Sequence, residues 1–555
     1  MTASAPAPAA WPELDTAAVR QALLAGDEIA LLDLREEDPY AQGHPLWAAN
    51  LPLSTLELNA WRRIPRRDTL IVLYGSQVGP EGPDGPPEDL APVAAARLQA
   101  LGYTRVHLLA GGLAGWQRAG GELFIDVNVP SKAFGEWVEA ERHTPSLSAQ
   151  DVKALLDARA DVVVVDARRF EEYQTMSIPT GTSVPGAELV LRVRELAPDP
   201  ATRVIVNCAG RTRSIIGTQS LVNAGLPNPV AALRNGTIGW LLAGQTLDHG
   251  AARRFPATVS AATQAQAQAD ARAVADRAGV RRIAWSALET LDQPGRTLYR
   301  YDVRTPEEYA AGHLPGFGSA PGGQLVQETD HNAPVRGARI VLADDDGVRA
   351  NMTASWLAQM GWAAYVLDDA PAQAFAETGA WRPPQPADPD IPALAPGELA
   401  TLLAGDGGAS AGLALLDLTT SARYVERHIP GAWYVIRAQL AQALAVVGPA
   451  RRYVLTCGSS QLARWAARDL IAWLAAHGRD NVPVHVLDGG TQAWIAQGLP
   501  LAHGEDRLAS PRIDRYRRPY EGTSAPASAM QAYLDWEYGL VEQLGRDGTH
   551  GFKVI

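Results

Sequence analysis

One pattern of residues occurs four times along this chain, and that recurrence limits what it can fold into. An apolar run closes on an Asp in Leu31-Leu32-Asp33, Val164-Val165-Asp166, Arg300-Tyr301-Asp302 and Leu415-Leu416-Asp417. Three of the copies then place an Arg two positions on (Arg35, Arg168, Arg304), where the fourth has Thr419. A Tyr follows shortly after each (Tyr40, Tyr173, Tyr309, Tyr424), then a Gly/Pro turn such as Gly312-His313-Leu314-Pro315-Gly316. A second apolar run comes next, at 70–74, 203–207, 339–343 and 453–456, with a helical stretch behind it. Strands alternating with helices predict βαβ units and a parallel sheet with helices on both faces. Copies one, two and four end in a Gly/Trp turn (Gly111 to Trp116, Asn235 to Trp240, Gly489 to Trp494). Copy three reads Asp368-Asp369-Ala370-Pro371 there, with Phe375 near the Trp position.

The expected fold class is therefore α/β, with four tandem domains at 12–128, 143–255, 265–385 and 390–505. A C-terminal tail, 506–555, carries an amphipathic helix over 529–544 whose aromatic stripe (Tyr533, Trp536, Tyr538) is expected to pack on a neighbouring domain. An Ala/Gln-rich segment, 257–273, and a Pro-rich one, 383–392, separate copies two from three and three from four.

Parallel sheets bind ligands beyond the carboxyl ends of their strands. Copy two puts Cys208 there, in Val204-Ile205-Val206-Asn207-Cys208-Ala209-Gly210-Arg211-Thr212-Arg213-Ser214. Turn N–H groups, a helix N-terminus and two guanidinium groups all favour negative charge, so the reading is a thiol held as a nucleophilic thiolate. The chain has only 2 Cys, which excludes a disulfide framework and a Cys-rich zinc site. A net charge of -12 argues against a general nucleic-acid binder. There is no signal-peptide pattern and no apolar run of membrane-spanning length, which points to a cytoplasmic protein without membrane or nucleic-acid partners.

These motifs resemble the rhodanese homology family of sulfurtransferases. The resemblance rests on Asp166-Ala167-Arg168, Glu171-Glu172-Tyr173, the turn 312–316, the loop opening at Cys208 and the Gly/Trp turn ending at Trp240. It implies a relay in which Cys208 takes a sulfane sulfur from a donor such as thiosulfate. The resulting covalent persulfide passes sulfur to cyanide or a thiol, with no cofactor and no metal. Arg211, Arg213 and Arg168 are then the residues expected to orient the anionic donor. Ala209 and Gly210 lie in the N–H nest, and Thr212 and Ser214 offer hydroxyls to the sulfur. Asp166 reads as structural, holding the loop. The loop departs from the family pattern in placing Arg211, not Gly, at the third position after Cys208.

Loop alignment separates the copies. Copy three has Asp344 at the Cys position and reads as inactive. Copy one reaches Tyr74 or Gly75, followed by a Pro/Gly-rich insertion, 79–87, and also reads as inactive. Copy four keeps a candidate second site in Cys457, Gly458, Ser459 and Ser460, with no Arg until Arg464. Two other classes compete: a sulfur-carrier scaffold without turnover, and a Cys-based phosphatase or arsenate reductase. The second places Arg at the sixth position after Cys, whereas here Arg213 is at the fifth. His44, His313 and His428 recur at one turn and read as turn stabilisers rather than metal ligands.

Overall fold

The computed structural model describes residues 11–75, 89–405, 412–522 and 524–555. It contains four five-stranded sheets, each in the same order: first, fifth, fourth, second and third strand of its domain. All pairings within the sheets are parallel. The β-branched runs Val162–Asp166 and Arg203–Asn207 form the central pair of the second sheet, because such residues favour strands buried on both faces. The register sets Asp33, Asp166, Asp302 and Asp417 opposite Tyr74, Asn207, Ala343 and Thr456. One residue further on, the position that carries the thiol in domain 2 is Gly75, Cys208, Asp344 and Cys457. The insertion of copy one lies outside the described residues.

The repeated side chains have repeated jobs. Each Tyr hydroxyl donates to a turn carbonyl eight residues on: Ala48, Gly181, Phe317 and Ala432. His44, His313 and His428 stack on Tyr40, Tyr309 and Tyr424 at centroid distances of 3.9, 3.8 and 3.9 Å. Trp116, Trp240 and Trp494 each donate their indole N–H to a carbonyl six residues on. Domain 3 lacks this corner and has only the 3-10 turn Ala372–Ala374.

The domains pair through equivalent parts. Domain 2 meets domain 3 where Gly323 packs on the Gly186 backbone and Arg349 donates to Glu188 at 2.9 Å. Domain 1 meets domain 4 where Arg437 grips Glu57 at 2.6 and 2.9 Å and the Ala438 N–H donates to Ser54. One core joins domain 1, the connecting helix Val129–Arg142, domain 3 and the chain's last residues, including Phe134, Trp356, Leu540 and Phe552. The Ala/Gln-rich segment forms the helix Ala261–Arg277. The tail helix runs over Ala527–Asp547, longer at both ends than its sequence pattern suggested, and ends at Gly548 with φ 67°. No helix among the described residues is long and apolar enough to cross a membrane.

Candidate active site

Cys208 follows strand Arg203–Asn207 and precedes helix Thr212–Asn223. Beneath it, Asp166 accepts from the Asn207 amide at 2.7 Å and from the Arg168 guanidinium at 2.9 and 2.8 Å. Arg168 also donates to the Met176 carbonyl and is 1% exposed. The Asp-x-Arg motif is thus a buried brace that ties loop to turn. Arg35 and Arg304 repeat it with the Gly43 and Gly312 carbonyls.

From above, the Gly/Trp turn clamps the loop. The N–H groups of Thr237 and Ile238 donate to the Cys208 and Ala209 carbonyls at 3.0 and 3.1 Å. This approach needs glycine: a Cβ at Gly236 would lie 2.4 Å from the Cys208 carbonyl oxygen, and its φ is 54°. Gly490 stands in the same relation to Cys457.

The Cys208 thiol donates to the Ser214 hydroxyl, 3.4 Å away. At 1% exposure, burial pushes its pKa above the ordinary thiol value. The Arg213 charge and the Ser214 N–H and hydroxyl pull the other way and do not overcome burial. Burial thus works against the resting thiolate expected from sequence and favours the protonated thiol, with Arg213 and Ser214 opposing it.

The arginines divide. Arg213 sits in the field of Cys208 and holds Glu172 in a bidentate pair at 2.8 and 2.9 Å. Burial raises the Glu172 pKa, but Arg213 outweighs it and holds the carboxyl well below the usual range. Arg211 turns toward the connecting helix and the tail. It pairs with Glu136 at 2.7 Å and with Glu139, and lies over the Tyr538 ring, 4.0 Å from its centroid. The structure therefore brings Arg213 and Ser214 to the thiol. Arg211 serves pairs directed elsewhere, and Arg168 is held by Asp166 at the wall of the space that Arg213 also lines. Thr212 is buried, with its methyl near Gly135 of the connecting helix.

The tail helix covers this loop. Ala209 and Ile238 share an apolar cluster with Tyr520, Met530, Tyr533 and Leu534. Glu537 is fully buried, accepts from the Tyr533 hydroxyl at 2.8 Å and approaches Gly210. Burial, then repulsion from Glu136, raises its pKa to about 8. Lys132, Tyr533 and Arg211 oppose the shift. The folded state therefore holds this proton more tightly than the unfolded chain does. Its contribution to tail docking is fully present below the ordinary carboxyl pKa and is lost as pH rises through about 8. Amide exchange over 527–547 is expected to be faster at pH 9 than at pH 6, and Glu537→Gln to flatten that difference. Equal exchange at both pH values in the unmodified protein would contradict it.

The corresponding loops differ in kind. Asp344 fills its own cradle, accepting from the Gly347 N–H at 3.1 Å and the Ala350 N–H at 2.8 Å. An Asp side chain thus fills the position that the thiol holds in domain 2. Burial, then Asp346, raises the Asp344 pKa well above its ordinary value. Cys457, also buried, has its pKa raised by burial, against N–H groups of Ala463, Ser459 and Leu462. Its largest influences include the Asp417 charge and no guanidinium. Ser460 takes the left-handed turn there, with φ 73°, and the Gly458 carbonyl accepts from the Gln492 N–H.

A comparison with known protein families matches the rhodanese-like domain four times, over 16–119, 148–243, 286–370 and 395–497. The chain belongs to the rhodanese-like domain family. Among solved structures, a thiosulfate sulfurtransferase from Pseudomonas aeruginosa is 64% identical, covers 98% of this chain and 100% of its own, and superposes with a TM-score of 0.93. Single-domain chains match one rhodanese-like domain's length only. The Alr3790 protein of Anabaena sp. is 26% identical over 21% of this chain and 84% of its own, with a TM-score of 0.18. A rhodanese-related protein of Thermoplasma volcanium is 15% identical over 20% and 98%, with a TM-score of 0.17. A search of curated proteins finds no match. Sequence reasoning missed Asn207, Gly236 and Glu537. The first two lay in quoted motifs without an assigned role; Glu537 had no local signal, since it meets the loop only through the fold.

Proposed function

We propose that this chain is a sulfurtransferase that takes the outer sulfur of thiosulfate onto Cys208. The observation that carries the reading is Cys208 at a strand-to-helix corner, with Arg213 acting on its sulfur and Ser214 bonded to it. The full-length likeness to a thiosulfate sulfurtransferase supports it. In the first step the Cys208 proton leaves to solvent and the thiolate attacks the sulfane sulfur. The S–S bond of thiosulfate breaks, sulfite departs with the bonding pair, and a Cys208 persulfide anion remains. In the second step cyanide attacks the terminal sulfur, thiocyanate leaves and the thiolate returns; a thiol acceptor would follow the same course. Arg213 and the Ser214 N–H offset the negative charge that both steps place at this corner. Domain 3 has Asp344 at this position, and a carboxyl group cannot form a persulfide, which supports reading that domain as inactive.

The test is the intact mass after incubation with thiosulfate. A gain of one sulfur, about 32 Da, located at Cys208 and removed by cyanide supports relay through a covalent intermediate. A protein that gains no sulfur and turns over no thiosulfate is the scaffold of the alternative reading.

A further inference from the structure

Beside Arg213 lies a chamber of about 310 Å³ that no single domain could form. Domain 2 contributes Arg168, Arg169, Arg213 and Glu172; domain 3 contributes Gln327 and Glu328; the tail contributes Arg515, Arg518, Tyr520 and Glu521. Five guanidinium groups face three carboxylates. Arg168 and Arg213 are engaged in pairs already described. Arg169 makes one 3.4 Å contact to Glu172 and is half exposed. Arg515 pairs with Glu521, acts on Glu37 and is 47% exposed. Arg518 also pairs with Glu521, at 2.5 Å. The chamber reaches the reactive loop through Arg213, which acts on the thiol, and Tyr520, which packs with Ala209.

Domain 4 supplies an internal comparison. A chamber of about 410 Å³ abuts its loop, and Thr419, Thr420 and Leu462 stand where domain 2 has Arg168, Arg169 and Arg213. Carboxylates predominate there: Glu36, Glu37, Glu328, Asp330 and Asp514 against Arg63, Arg437 and Arg518. Asn128, Glu328 and Arg518 wall both chambers. The same fold position is thus basic beside Cys208 and acidic beside Cys457.

We propose that the chamber beside Cys208 is a binding site for a doubly charged sulfur oxyanion, and that Arg169 and the tail's Arg515 select such donors over singly charged ones. This rests on the sulfurtransferase reading and deepens it. Glu172 is shared by Arg169 and Arg213, and Glu521 by Arg515 and Arg518, so each cluster keeps a net positive charge from which a dianion gains more than a monoanion. The rhodanese-like fold alone does not supply Arg515; the tail does.

The test compares thiosulfate with methanethiosulfonate, a singly charged donor of the same sulfane sulfur, in the full-length chain. For each, the thiolate takes the outer sulfur and the sulfinate or sulfite leaves with the electron pair. For Arg169→Ala and Arg515→Glu, the KM for thiosulfate is expected to rise about tenfold with kcat within twofold. The preference for thiosulfate over methanethiosulfonate should fall severalfold, and the difference from the unmodified protein should shrink at high salt. Inhibition by sulfate, measured on the same variants, should weaken in parallel. An unchanged preference between donors, with the unmodified protein active, overturns the chamber and leaves the sulfurtransferase reading standing. An unmodified protein inactive with both donors overturns that reading itself.

Discussion

Cys208→Ser is expected to lower thiosulfate:cyanide sulfur transfer by more than about 10³-fold, while Cys457→Ser retains at least half the activity. The serine hydroxyl occupies nearly the same space and keeps its bond to Ser214, so the fold is undisturbed. It has no accessible anion and cannot hold a second sulfur. Cys457 has a seat of N–H groups but lacks any counterpart to Arg213, since Leu462 fills that position. Its surroundings are acidic where those of Cys208 are basic. A dianionic donor would meet repulsion there. Steady-state transfer and persulfide mass on both variants check the assignment. Full activity in Cys208→Ser, with loss in Cys457→Ser, would reverse it.

Arg168→Ala is expected to destabilise domain 2 by about 3–5 kcal/mol, the cost of leaving one partner of a buried ion pair alone. Asp166 is 1% exposed and would keep only its Asn207 partner and the Arg168 backbone N–H. Chemical denaturation followed by tryptophan fluorescence reads this as an earlier transition. Trp240 is a local reporter, since it lies in domain 2 and is fully buried. The sequence placed Arg168 at the mouth, where its loss would chiefly raise the KM for the donor. An unmoved transition with a raised KM would restore that reading.

Much of the fold was legible because it is written in local pattern. Asp followed by Tyr, a turn and a β-branched run repeats four times, and local pattern fixes strands, helices and their order. The thiol position was legible for the same reason. The orientations of the arginines were not. Arg211 and Arg213 are two residues apart on one helical turn, and their destinations depend on Glu136 and Glu172, which lie 75 and 41 positions earlier. The thiol's protonation state was misjudged for a related reason. The sequence displays the charges near Cys208, but not its burial in the folded chain, whose desolvation outweighs them. The tail's stripe was correctly expected to pack on a neighbour. That the neighbour is the reactive loop itself follows only from tertiary structure.

The covering of that loop by residues 520–537 has a consequence for how the protein is made. Cys208 leaves the ribosome about 300 residues before the aromatic side chains that pack on Ala209 and Gly210 beside it. At about 5–20 residues per second, that interval is on the order of 15–60 s. During that time domain 2 can build its sheet and loop, but Ala209 and Gly210 beside the thiol lack the cover that Tyr533 and Glu537 give them. Only when the final stretch docks is the chamber beside Arg213 walled, because Arg515, Arg518 and Tyr520 belong to that stretch.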